Sequence, residues 1–109
     1  MEFTAVVITA HLPNREPINL GILLLDEVAD RLHLRFRTGL DGVVDPDDLE
    51  VIQGLAAMIE SMAVEMGAMG VLLFFEDRAS NAIRLSDRVA VRADNAIEAV
   101  EREFAKHVA

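Results

Sequence analysis

Apolar positions in this chain alternate, run together or recur every three to four residues, and each pattern predicts an element. Glu2 to Ala10 reads as a first strand, whose contiguous Val6, Val7 and Ile8 call for cover on both faces. His11 to Ile18 is a loop, since Pro13 and Pro17 cannot donate to a ladder and Asn14 favours turns. Asn19 to Leu25 is a second strand. Simple alternation puts Leu20, Ile22 and Leu24 on one face and Leu23 and Leu25 on the other, which predicts a central position. After the short turn Asp26 to Asp30, Arg31 to Arg37 shows the clearest period of two. Leu32, Leu34 and Phe36 face inward, and Arg31, His33, Arg35 and Arg37 face outward. So short a turn predicts an antiparallel hairpin.

Beyond the Gly-containing connection Thr38 to Val44, the pattern becomes helical. Asp45 is the expected N-cap, Pro46 the first helical residue, and Asp48 adds an acid where the helix dipole favours one. The helix should reach about Met66 and stop at Gly67. Glu50, Gln53, Glu60, Ser61 and Glu65 form only a narrow polar stripe on it. An apolar arc that wide needs cover from the sheet on one side and from a second helix or another subunit on the other. Ala68 to Ser80 fits helix or strand, because Val71-Leu72-Leu73-Phe74-Phe75 has strand composition while Met69, Leu72, Leu73 and Glu76 have helical spacing. Asn81 to Leu85 and Val89 to Arg92 are short strands. Asp94 to His107 is a closing helix, with Asp94 as cap and Ile97, Val100, Glu101 and Phe104 in helical register. These elements predict an α+β fold: an antiparallel β-sheet of four to five strands with two or three helices packed mainly on one face.

Composition narrows this further. At 109 residues the chain makes a single domain, 1–109, and with 52% hydrophobic residues it has enough apolar surface for an ordinary core. It has no Cys, hence no disulfide or thiolate chemistry, which fits a cytoplasmic setting. The start Met1-Glu2-Phe3-Thr4 carries an acid where a secretory signal places basic residues. The longest uncharged apolar runs fall short of a membrane span. A net charge of -9, with no Trp or Tyr, argues against nucleic acid as a partner.

The run Glu16-Pro17-Ile18-Asn19-Leu20-Gly21-Ile22, preceded by Ala5-Val6-Val7-Ile8, resembles the domain-of-unknown-function family 3037. Leu24-Leu25-Asp26, Arg31-Leu32-His33-Leu34-Arg35, Ser80-Asn81-Ala82-Ile83-Arg84-Leu85-Ser86 and Glu103-Phe104-Ala105-Lys106-His107-Val108 extend the likeness to both ends of the chain. Two positions depart from the family pattern: the Arg expected two residues before the Glu is Asn14 here, with Arg15 beside it, and Pro17 replaces a bulky residue. The resemblance implies a bacterial cytoplasmic protein, supplies no reaction, and tilts Ala68 to Ser80 towards helix.

Two polar features are candidate sites. Arg15, Glu16, Asn19 and Gly21 could form a pocket for a small anionic ligand, with Arg15 on the anion and Glu16 and Asn19 orienting it. Equally, Asn19 and Glu16 could tie down loop backbone while Gly21 admits a neighbouring segment. Arg31, His33, Arg35 and Arg37 form a cationic row with about 7 Å between members. It could dock an acidic protein partner or the Asp41-to-Glu50 segment of a second copy, or be a solvated face paired to acids such as Glu2; Arg84, Arg88 and Arg92 would extend it if their strands share that face. The Met58, Met62, Met66 and Met69 stripe is core or an adaptable interface. His11, His33 and His107 have no ligand spacing, the acids from Asp41 to Glu50 do not follow a calcium loop, and nothing calls for a metal or other cofactor. The expected function is a non-catalytic interaction module forming a homodimer, with a small-ligand binder or enzyme built on Arg15, Glu16 and Asn19 as the alternative.

Overall fold

A computed structural model describes residues 1–77 and 82–108. Its centre is an antiparallel sheet. β1 (Glu2–Ala10) pairs with β2 (Ile18–Asp26), which pairs with β3 (Arg31–Phe36). Two short strands share the other edge of β1: β4 (Ile83–Leu85) lies against Ile8 to Ala10, and β5 (Val89–Arg92) against Glu2 to Ala5. The β2–β3 hairpin is antiparallel as its short turn requires. Asn81, the expected start of the fourth strand, lies outside the described residues.

Helical residues run from Pro46 to Glu76 (α1) and from Ala96 to His107 (α2). α1 starts where Asp45 and Pro46 predict. Asp45 is extended and its carbonyl accepts the first helical bond from Leu49 N at 2.9 Å, but its side chain makes no capping bond. Gly67, at φ 76° and ψ 165°, ends the first segment as expected; the chain then turns directly into a second helical segment, 68–76. Helix therefore wins over strand for the described part of Ala68 to Ser80. The new segment begins with unpaired N–H groups, and Asp30 Oδ1, from the β2–β3 turn, accepts from Ala68 N at 3.2 Å. In α2 the cap is Asn95 rather than Asp94: Asn95 Oδ1 accepts from Glu98 N at 2.8 Å, while Glu98 reaches back to Asp94 N at 3.4 Å. Ile97 is exposed, and the buried face of α2 is Ala99, Val100, Glu103 and Phe104.

Both faces of the sheet are covered, as contiguous Val6, Val7 and Ile8 demanded. The two segments of α1 lie on one face, where Ile52, Leu55, Ile59, Val71, Leu72 and Phe75 meet Val6, Ile8, Leu23 and Leu25. The single segment of α2 lies on the other, against Phe3, Ala5, Ile22 and Leu24. Leu20 corrects the simple alternation. Ile8 pairs with Gly21 and Thr9 with Asn19, so Leu20 is the extra residue of a bulge and turns to the α1 face with Leu23 and Leu25. Gly21 sits where that bulge brings β3 close: a Cβ there would lie 2.3 Å from the Arg35 carbonyl oxygen.

Candidate functional site

The loop that opens β2 does not assemble a single pocket. Arg15 donates through Nη1 to the Val43 carbonyl, in the connection leading to α1. Beside it lies an open cleft lined by Leu12, Asn14, Asp45 and Asp48, whose carboxylates are the wrong sign for an anion. Asn19 turns to the opposite face. Its Nδ2 donates to the His107 carbonyl at 2.9 Å, and its Oδ1 accepts from Thr9 Oγ1 at 3.3 Å. His107 is the last residue of α2, and helix C-termini leave carbonyls that need donors. Asn19 thus fastens β2 to the end of α2. Glu16 is exposed. Arg15 and Asn19 each bind backbone, in two different parts of the molecule, and Gly21 serves the close approach of β3.

The cationic row lies on the face that α2 covers. Arg35 makes an ion pair with Glu101 and stacks its guanidinium 4.2 Å from the Phe104 ring centroid. Arg31 is exposed, while His33 and Arg37 are half-buried. β3 is an edge strand, and cations along an edge discourage pairing with another sheet. His33 and Arg35 line a groove of about 360 Å³ with Glu60 of α1 and Ile97 and Glu101 of α2. Arg92 and Arg88, expected to extend the row, take other partners. Arg92 faces Glu2 across the strand pair, at 3.9 Å. Arg88 holds Glu76, at the end of α1, through bonds of 2.7 and 2.9 Å. The Arg88 hydrogen bonds, reinforced by its charge, hold the Glu76 carboxylate below its usual range despite partial burial, and Arg88 is raised in turn.

A mostly apolar cavity arises from groups that periodicity did not single out. β4 and β5 leave β1 unpaired between them. Ser86 fills the gap: its N donates to the Val7 carbonyl at 2.9 Å, and its Oγ accepts from Val7 N at 2.8 Å. Beneath this junction is a cavity of about 310 Å³, lined by Ala5, Val7, Ile22, Val89, Glu103 and His107, with Ser86 and Asp87 also at its wall. Glu103 is only 3% exposed, the one charged residue buried among those described. Its nearest basic side-chain atoms are His107 Nε2 at 3.7 Å and Arg102 Nε at 3.8 Å, both beyond hydrogen-bond distance. Arg102 spends another nitrogen on the Arg92 carbonyl, at 2.5 Å. One signal in the sequence did mark Glu103: it follows Ala99 by four and Val100 by three, so it shares their buried face.

Comparison of the chain with family models, with curated proteins and with solved structures finds no match in any of the three. The functional reading therefore rests on this geometry.

Proposed function

We propose that this chain is a small, non-catalytic, cytoplasmic interaction module that works as a homodimer. One observation carries the reading: the apolar arc of α1 is only partly covered. Val51, Met58 and Met66 are 62%, 46% and 41% exposed, with Met62 half-buried among them. By length and composition α1 is the one helix among the described residues that could cross a membrane, contrary to the expectation from its uncharged runs. Yet just 28% of its most apolar window is buried. An edge rich in Met suits a surface that adapts to a partner.

A second copy is the occupant that the charges favour. α1 carries acids and no Lys or Arg, so a partner seated beside it has to bring cations. The copy itself offers Arg31 and Arg37 to receive the acidic Asp41-to-Glu50 segment around a twofold axis. The alternative, an anion pocket on Arg15, Glu16 and Asn19, loses support because Arg15 and Asn19 already hold backbone carbonyls in separate places.

Sedimentation equilibrium tests the reading. Wild type should be dimeric at micromolar concentration, and Met58→Asp, at an exposed position, should dissociate at least about tenfold more readily with unchanged circular dichroism. A wild-type monomer, or a Met58→Asp dimer of undiminished affinity, overturns it. So does binding of the monomer to neutral lipid vesicles, which would assign the α1 edge to a membrane.

A further inference from the structure

The cavity under the β4–β5 junction lies on the α2 face of the sheet, away from the α1 edge. Its walls are aliphatic: Ala5, Val7, Ile22 and Val89. Glu103, only 3% exposed, also lines it, and its ion-pair contacts to His107 Nε2 and Arg102 Nε are long, at 3.7 and 3.8 Å. Both contacts are too long to be hydrogen bonds, so the carboxylate keeps acceptor capacity for a donor placed in the cavity. The space it faces has the volume of a small ligand site. At the mouth, exposed Asp87 adds a second acid, and the net charge of -9 draws cations towards the whole surface.

We propose that this cavity binds a small organic cation: an ammonium group on a short apolar body, with Glu103 as its counter-ion. The aliphatic walls would take the body, and the carboxylate would accept charge-assisted hydrogen bonds from the ammonium. His107, whose Nε2 is the nearest basic atom to the carboxylate, stands 3.7 Å off with its side chain 39% exposed, so it can swing outward as the ligand enters. An inorganic ion would leave the aliphatic walls unused, and a neutral alcohol would leave Glu103 without a counter-ion.

The test uses three probes of one shape: n-butylammonium, n-butanol and butyrate. Each is titrated into the full chain while amide shifts of Val7, Ile22, Val89 and His107 are followed by NMR. Butylammonium should give saturable shifts at these residues and bind at least about tenfold more tightly than butanol, with butyrate inert. Glu103→Gln, which keeps the side chain's shape, should remove the preference for the cation. Val89→Trp, at the partly exposed mouth, should block entry with the fold intact. Equal binding of butylammonium and butanol, no saturable shift, or an undiminished preference in folded Glu103→Gln each overturns the proposal. If Glu103→Gln does not fold, the wild-type comparison and Val89→Trp decide it. The dimer reading stands or falls separately, since these shifts are read whatever the sedimentation result.

Discussion

The same substitution, Gly to Ala, should have opposite effects at two positions of this chain. At Gly21 the new Cβ would lie 2.3 Å from the Arg35 carbonyl oxygen and 3.0 Å from Phe36 Cα, both backbone atoms. The first contact is about an ångström too short, and neither atom can rotate away. β3 must move, and the bond from Arg37 N to the Leu20 carbonyl, 2.8 Å long, is the first to lengthen. Overpacking costs about 1–3 kcal/mol and a lost ladder bond about 1 kcal/mol. Together they make a destabilisation of roughly 2–4 kcal/mol, or a fall in Tm of roughly 10–20 °C for a domain of this size. A typical stability of about 5–15 kcal/mol leaves the variant folded at room temperature. At Gly54, in the middle of α1, nothing lies within 4 Å of the added Cβ. There Ala should stabilise by about 0.5–1 kcal/mol, the helix-propensity difference. Urea unfolding followed by circular dichroism, in dilute solution, measures both, with unchanged slopes as the sign that the denatured state is unaltered. If Gly21→Ala unfolds within about 0.5 kcal/mol of wild type, the close approach of β3 is not why Gly stands there. If Gly54→Ala destabilises, that face of α1 is not open.

Two further outcomes follow from single contacts. Asn19→Ala removes the donor to the His107 carbonyl and should cost about 0.5–1.5 kcal/mol; hydrogen exchange should speed up in the last turn of α2 and not in β3, and uniform acceleration would refute the fastening role. The Glu76–Arg88 pair predicts a pH dependence. The Glu76 pKa is lowered in the folded state, so its stabilisation is present above the unfolded value near 4.5 and is lost as pH falls through the folded value. With about a third of each side chain exposed, screening limits the effect to roughly 0.5–1 kcal/mol. Stability of wild type relative to Glu76→Gln, measured from pH 7 down to pH 3, should therefore converge at the acid end; a constant difference would rule the pair out.

The elements set by local chemistry were legible in the sequence. β1 has the predicted bounds, Asp45-Pro46 starts α1, and Gly67 breaks it, because β-branched runs, a proline at the first helical position and a left-handed glycine act within a few residues. What escaped was set by distant partners. Leu20 changes face because pairing with β1 imposes a bulge, which the alternation of β2 alone does not contain. The helix after Gly67 resumes with Asp30 at its start, a residue of another turn that reads only as a turn former. Asp94 and Asn95 are adjacent and both good caps, so composition could not choose between them. The Arg row was visible as a row, but its cover by Glu101 and Phe104 required knowing that α2 crosses that face. The motif at β2 was noticed for its polarity, and its polarity is used mainly on backbone.

That last point bears on where this fold keeps chemistry available. A β-sheet edge must satisfy each N–H and carbonyl, and here the edge of β1 is met by two short strands that do not quite join. Ser86 closes the remaining pair with its own backbone N and side-chain oxygen, a compact solution that needs no third strand residue. Leu85 lies opposite Ile8 and Val89 opposite Ala5, so Ser86, Asp87 and Arg88 face only Val6 and Val7: the junction is a bulge, and Ala5, Val7, Ile22 and Glu103 line the cavity beside it. At the start of β2, Arg15 and Asn19 are occupied by backbone carbonyls. The acid that lines the cavity sits where the sheet is interrupted, on a helix face otherwise made of Ala99, Val100 and Phe104.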